Sequence, residues 1–151
     1  MVNKCELYMP VTGEVIPISE VNHYLNDDLV MGTGVCIIPK SGHFYAPISG
    51  KVVLVSDNLN AVAISTKNEI TILIHLGLDT AKLQGRGFAT YVKEGDQVTV
   101  GDKLLYMDLD YVELKAKITT PIMITTPDKI KNLVIDYKAQ DAFVKFMEVT
   151  T

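Results

Sequence analysis

Asn60-Ala61-Val62-Ala63-Ile64-Ser65-Thr66-Lys67-Asn68-Glu69-Ile70-Thr71-Ile72-Leu73-Ile74-His75-Leu76 is the stretch that decides the fold. Two runs rich in Val, Ile and Thr flank the polar pair Lys67-Asn68. β-branched side chains pack well on a pleated surface and Asn favours turns, so the stretch reads as a hairpin. A turn centred on Lys67-Asn68 puts Asn60 opposite His75, Val62 opposite Leu73 and Ile64 opposite Thr71. Side chains alternate with period two along a strand, so these six would share one face. His75 would then have the Asn60 amide as its direct cross-strand neighbour. A bulge in the turn would break this register.

The same pattern continues in both directions. Turn signals recur at short intervals, as at Thr12-Gly13, Lys40-Ser41-Gly42, Ser56-Asp57-Asn58, Gly85-Arg86-Gly87, Glu94-Gly95-Asp96 and Val100-Gly101-Asp102. Strands are expected over 13–17, 34–39, 43–46, 50–55, 60–66, 70–76, 97–100, 103–108, 122–125 and 143–149. Regularly spaced short strands imply an all-β fold, an antiparallel sandwich or barrel. Helical signals are confined to 109–116 and to 128–134, which follows a plausible cap at Thr126-Pro127. Met9-Pro10-Val11-Thr12-Gly13-Glu14-Val15 looks like Ala46-Pro47-Ile48-Ser49-Gly50-Lys51-Val52: an apolar residue, Pro, then a small residue and Gly before a strand. No linker or low-complexity segment interrupts the chain, and 151 residues fit one domain, taken as 1–151.

Composition narrows the function. Fourteen basic and 18 acidic residues give a net charge of −4, which argues against nucleic-acid binding, where basic patches dominate. No apolar run approaches the roughly 20 residues of a membrane span, and the N-terminal residues lack a signal-peptide layout. The expected location is the cytoplasm. Cys5 and Cys36 form no C-x-x-C pair, and Cys36 lies in the apolar run Val35-Cys36-Ile37-Ile38, as a small buried thiol would.

Few catalytic patterns survive. G-x-S-x-G, H-E-x-x-H, P-loop and G-x-G-x-x-G motifs are all missing, and three scattered histidines make a poor ligand set, so no metal is expected. Asp108-Leu109-Asp110 reads as a solvated turn exit. His23 and His43 read as surface residues. His75, at the end of an apolar strand and before a glycine, is either a satisfied structural histidine or a nucleophile, base or ligand. Two stretches, 46–52 and 92–98, are similar to biotinyl and lipoyl domains, but no lysine stands at a Met-Lys-Met or Asp-Lys-Ala tip.

At His75 the chain resembles the glucose-family IIA components of the bacterial phosphoenolpyruvate-dependent sugar phosphotransferase system. The resemblance rests on Gly32-Thr33-Gly34-Val35-Cys36-Ile37-Ile38-Pro39, Ala46-Pro47-Ile48-Ser49-Gly50, Leu73-Ile74-His75-Leu76-Gly77-Leu78-Asp79-Thr80, Leu83-Gln84-Gly85-Arg86-Gly87-Phe88, Val98-Thr99-Val100-Gly101-Asp102 and Thr120-Pro121-Ile122. It implies an antiparallel β-sandwich or barrel-like fold with very short helices. It implies that His75 accepts a phosphoryl group from the phosphocarrier protein HPr and passes it to a sugar-specific IIB domain of a permease. The far ring nitrogen would carry the phosphate. No cofactor is implied beyond the transient phosphohistidine, and a free-standing member is a monomer. Asp79 matches the acidic residue that meets an arginine of HPr, and Val62 and Leu76 match positions on the apolar rim.

The resemblance has gaps on that same surface. The family has a second histidine where this chain has Asn60, fifteen residues before His75. Asn58 replaces a threonine, and Asn26 and Ser56 stand where rim phenylalanines are common. Asn60 can donate hydrogen bonds but can never carry charge. Losing one charge-stabilising donor can cost on the order of 10²–10³ in rate. Phosphorylation of His75 with slowed delivery to IIB is therefore expected. The alternative is a regulatory or binding module on the same scaffold, without onward transfer.

Overall fold

The computed structural model describes residues 3–24 and 33–151. Its strands are β1 (Lys4–Tyr8), β2 (Gly13–Pro17), β3 (Thr33–Pro39), β4 (His43–Tyr45), β5 (Gly50–Val55), β6 (Ala61–Ser65), β7 (Thr71–His75), β8 (Phe88–Thr90), β9 (Gln97–Val98), β10 (Lys103–Met107), β11 (Thr120–Ile124), β12 (Asn132–Ile135) and β13 (Lys145–Thr150). The α-helix α1 (Leu109–Glu113) is one turn long, and 3-10 turns lie at Ile18–Tyr24, Ala81–Leu83 and Pro127–Lys129. A large antiparallel sheet runs β2-β3-β11-β7-β6-β5-β9, and two small ones run β4-β10-β8 and β1-β13-β12. The all-β sandwich expected from the strand spacing is what forms. No helix among the described residues is long and apolar enough to cross a membrane.

The core follows from alternation. On β7, Ile72 and Ile74 are buried while Thr71, Leu73 and His75 keep partial exposure. Val62 and Ile64 of β6 lie opposite Ile74 and Ile72 and join Leu7, Ile37, Phe44, Leu104 and Phe146 in one apolar cluster. Each such side chain contributes about 1.5–3 kcal/mol when fully buried.

The hairpin register differs by one residue from the sequence expectation. Ala61, not Asn60, lies opposite His75, Val62 opposite Ile74 and Ala63 opposite Leu73. The turn explains it. Glu69 N–H donates to Thr66 O at 3.0 Å, Thr66 N–H donates to Ile70 O at 2.9 Å, and Glu69 has φ +65°. That is a three-residue loop, Lys67 to Glu69, with its last residue left-handed. A two-residue turn would have needed positive φ at Lys67 as well. The extra residue moves Val62 and Ile64 to the face opposite His75.

Three further differences are instructive. The helix expected over 128–134 is a 3-10 turn followed by β12, whose Leu133 pairs with Val149 of β13. The Leu133-Val134-Ile135 run fits a pleated surface, and pairing with β13 overrides the local cap signal. β1 and β8 have no expected counterpart; β1 is held by β13 near the other end of the sequence and β8 by β10. The two similar proline segments are in mutual contact: Tyr8 N–H donates to Pro47 O at 2.9 Å, and Tyr45 N–H donates to Pro10 O at 2.8 Å. Gly13 and Gly50 then open β2 and β5, each so close to a neighbouring carbonyl, of Ile38 and Ser65, that a Cβ would collide with it.

Candidate functional site

His75 ends β7 on the outward face, with the small Ala61 opposite, so the ring is half-buried rather than covered. Its Nδ1 lies 2.9 Å from the carbonyl oxygen of Gly77. A carbonyl only accepts, so Nδ1 carries the proton and Nε2 keeps its lone pair. Burial lowers the pKa of His75 from the ordinary 6.5, and the backbone bond to Gly77 acts in the opposite sense. The net direction is downward because a charged ring loses more hydration than hydrogen bonding to the backbone at Gly77 and His75 returns. At neutral pH His75 is a neutral imidazole with one nitrogen fixed and the other available.

The segment after His75 is built to hold that bond. Gly77 has φ +72°, and a Cβ there would stand 2.5 Å from Lys117 O and 2.6 Å from Thr80 Cγ2. Gly77 N–H donates to Thr120 Oγ1 at 3.2 Å, and the Thr120 hydroxyl donates to Ile118 O at 2.9 Å. Leu78 and Lys117 exchange a bridge. Thr120 is fully buried, so these bonds form in a site of low dielectric, where losing a partner is costly.

Asn60 has a different surrounding from the one expected. It is 4% exposed. The Ser56 hydroxyl donates to its Oδ1 at 2.8 Å, and its Nδ2 donates to Thr80 Oγ1 at 3.2 Å. Thr80 in turn donates to Leu76 O at 2.8 Å, while Ser56 Oγ accepts from the Asn60 and Ala61 amides at 3.1 and 3.0 Å. The side-chain donors run one way, from Ser56 through Asn60 and Thr80 to the backbone beside His75. Ser56, expected as a partner-facing rim residue, is the start of this chain.

Val62 and Leu76, expected on the apolar rim, are both 0% exposed. The one-residue register shift turns Val62 to the core, and Leu76 follows His75 and so points the other way. Asp79 is exposed, has φ +59° and pairs with Lys82 at 2.9 Å. Asn26 lies outside the described residues. His43, expected at the surface, is half-buried: its ring centroid lies 4.9 Å from that of Tyr106 and 6.1 Å from that of Tyr91. Thr80 and Thr120 fall in stretches that carry the family resemblance, but neither had an expected role at the site. Thr80 had a local signal, since a threonine four residues after Leu76 can bond its carbonyl. Thr120 comes from a distant strand and had none.

Taken together, this is an all-β sandwich protein that presents one neutral, tautomer-fixed imidazole, a nucleophile or general base, at a strand end. The sequence profile of the phosphoenolpyruvate-dependent sugar phosphotransferase system EIIA 1 family matches residues 5–130, and the chain belongs to that family. Over 125 residues it is 42% identical to the glucose-specific EIIA component of the phosphotransferase system of Oceanobacillus iheyensis, covering 82% of this chain and 76% of that protein. The glucose permease IIA of Mycoplasma capricolum has the same fold, with a TM-score of 0.89 and 33% identity over 97% of this chain and 96% of the other. The protein is a IIA component of a sugar phosphotransferase system, a transferase with a phosphohistidine intermediate. IIA components in general interact with HPr and with IIB domains.

Proposed function

We propose that His75 is the phosphoryl acceptor, that HPr is its donor and the IIB domain of a sugar permease its recipient, and that Nε2 is the reacting atom. The hydrogen bond from Nδ1 to Gly77 O carries this reading. It holds the proton on the nitrogen that does not react and leaves the other with a free electron pair. As the Nε2–phosphorus bond forms, the donor's nitrogen–phosphorus bond breaks and the donor nitrogen leaves with the electron pair. Such a transfer has a loose transition state, so orientation and charge stabilisation supply the rate. Orientation comes from Gly77, Thr120 and the Lys117 bridge. Charge stabilisation is thinner. The residue in place of the family's second imidazole, Asn60, is neutral and already engaged by Ser56 and Thr80. Delivery to IIB is slowed accordingly, while acceptance from HPr proceeds. Asp79 meets a cationic group of HPr by exchanging Lys82 for it, a cheap exchange because exposed ion pairs contribute only about 0–1 kcal/mol.

The test is intact mass after incubation with phosphoenolpyruvate, enzyme I and HPr. One added phosphoryl group, absent in His75→Ala, is expected, and its ³¹P signal belongs to an Nε2-linked phosphohistidine. A folded protein that takes no phosphate, beside a control IIA that does, would refute the assignment.

A further inference from the structure

Lys82, Leu83, Gln84, Arg86, Tyr111 and Lys115 line a surface cavity of about 460 Å³. Three of the six are cations and none is acidic, in a chain whose net charge is −4. Lys82 shares its charge with Asp79. The Arg86 guanidinium has no hydrogen-bond or ion-pair partner among the described residues. The Lys115 ammonium sits 5.9 Å from the centre of the Tyr111 ring.

The cavity is held in shape by the fold. Between Thr80 and Phe88 the backbone bonds to itself at each step: Leu83 to Thr80, Gln84 to Ala81, Arg86 to Leu83 and Phe88 to Gly85. Gln84, Gly85 and Gly87 all have positive φ, which winds the loop tightly. Asp108 N–H donates to Gly87 O at 2.8 Å, and a Cβ on Gly87 would stand 2.8 Å from the Tyr111 ring. Aspartate 108 also caps α1, accepting from Tyr111 N at 3.2 Å. The loop that carries Arg86 and the helix that leads to Lys115 are thereby locked to each other. The like charges are brought together by backbone bonds, not by an acidic side chain among the lining residues.

We propose that this cavity binds a small soluble phosphate ester carrying at least two negative charges. The guanidinium of Arg86 supplies a planar fork suited to two phosphate oxygens, and Lys82 and Lys115 supply compact charges on either side. Tyr111 forms a flat wall for the non-phosphate part of the ligand. The site adjoins the His75 segment through the Asp79–Lys82 pair and shares with the function proposed above only Lys82, which docking of HPr releases from Asp79.

The test is a titration of the isotope-labelled protein with inorganic pyrophosphate, followed by amide shifts in the NMR spectrum. Saturable shifts centred on Gln84, Arg86 and Lys115 are expected at concentrations up to about 1 mM. Binding should weaken as salt rises from about 0.01 to 0.15 M, because the screening length falls from about 30 to 8 Å. Arg86→Glu and Lys115→Glu, both at exposed positions, should each weaken binding by about tenfold or more. Lys51→Glu, on the distant β5, should leave it within about twofold, as expected for separated sites. His75→Ala should bind as the wild type does. No saturable shift, unchanged binding in both reversal variants, or shifts centred on Ala61 and His75 would each overturn the proposal.

Discussion

Gly77→Ala tests the core of the argument, since Gly77 both holds the His75 proton and occupies a left-handed conformation that is costly for a residue with a Cβ. At φ +72° a Cβ costs about 1–2 kcal/mol through its clash with the following carbonyl. The new methyl would also stand 2.5 Å from the backbone oxygen of Lys117, which cannot swing aside as a side chain can. Forcing that contact open adds about 1–3 kcal/mol, the usual range for overpacking. The sum is about 2–5 kcal/mol of stability. In a chain of this size 1 kcal/mol corresponds to about 2–4 °C in Tm, so a fall of several degrees to about 20 °C is expected. Urea unfolding measures the free energy directly. A second variant divides the causes. Thr80→Ser removes the methyl 2.6 Å from the added Cβ but keeps the hydroxyl that Asn60 and Leu76 use. In the double variant Gly77→Ala/Thr80→Ser, part of the loss should return, but not the part due to φ and to Lys117. Moving the carbonyl also frees Nδ1, so phosphate acceptance from HPr should fall further than stability alone requires. Gly77→Ala within about 0.5 kcal/mol of wild type, or with full stability loss but unchanged acceptance under native conditions, would refute the reasoning.

Four other outcomes follow from the same structure. The His75 ring should titrate below 6.5 by NMR, because burial is the largest influence on it. Its folded pKa is lowered, so the unfolded chain binds more protons between that pKa and 6.5. Stability contributed by the neutral ring is therefore full above 6.5 and is lost as pH falls through that window, and phosphate acceptance falls with it. A His75 pKa above 6.5 would contradict this. Asn60→Ala should cost about 1–3 kcal/mol in urea unfolding, because Thr80 and Ser56 lose their buried partner. Asn60→His restores a chargeable donor and should raise the rate of IIB phosphorylation by on the order of 10² or more; no gain would count against the slow-delivery reading. Cys36 is fully buried, and burial together with nearby Glu20 pushes its thiol up to about 12. It should resist iodoacetamide at pH 8 in the native protein and react once unfolded, with mass spectrometry as the readout.

The all-β character was legible in the sequence because it is a local property. Runs such as Gly13-Glu14-Val15-Ile16-Pro17 and Gly50-Lys51-Val52-Val53-Leu54-Val55 declare a pleated surface by residue type and punctuation alone, and β2 and β5 form over those spans. The motif around His75 likewise pointed to the family. What the sequence could not decide was anything set by a single extra residue or by a distant partner. Glu69 in the left-handed region moves the register by one, and with it Val62 passes from an expected rim to the core and Asn60 from beside His75 to a strut between Ser56 and Thr80. β12 became a strand because β13 was available to pair with it. The tautomer of His75 depends on Gly77 and Leu78 being held by Thr120 and Lys117, about forty residues away. Residue types and their periodicity determine which segments extend and which groups can react. Only the tertiary structure decides which nitrogen is left free to do so, because that depends on hydrogen bonds between strands that are far apart in the chain.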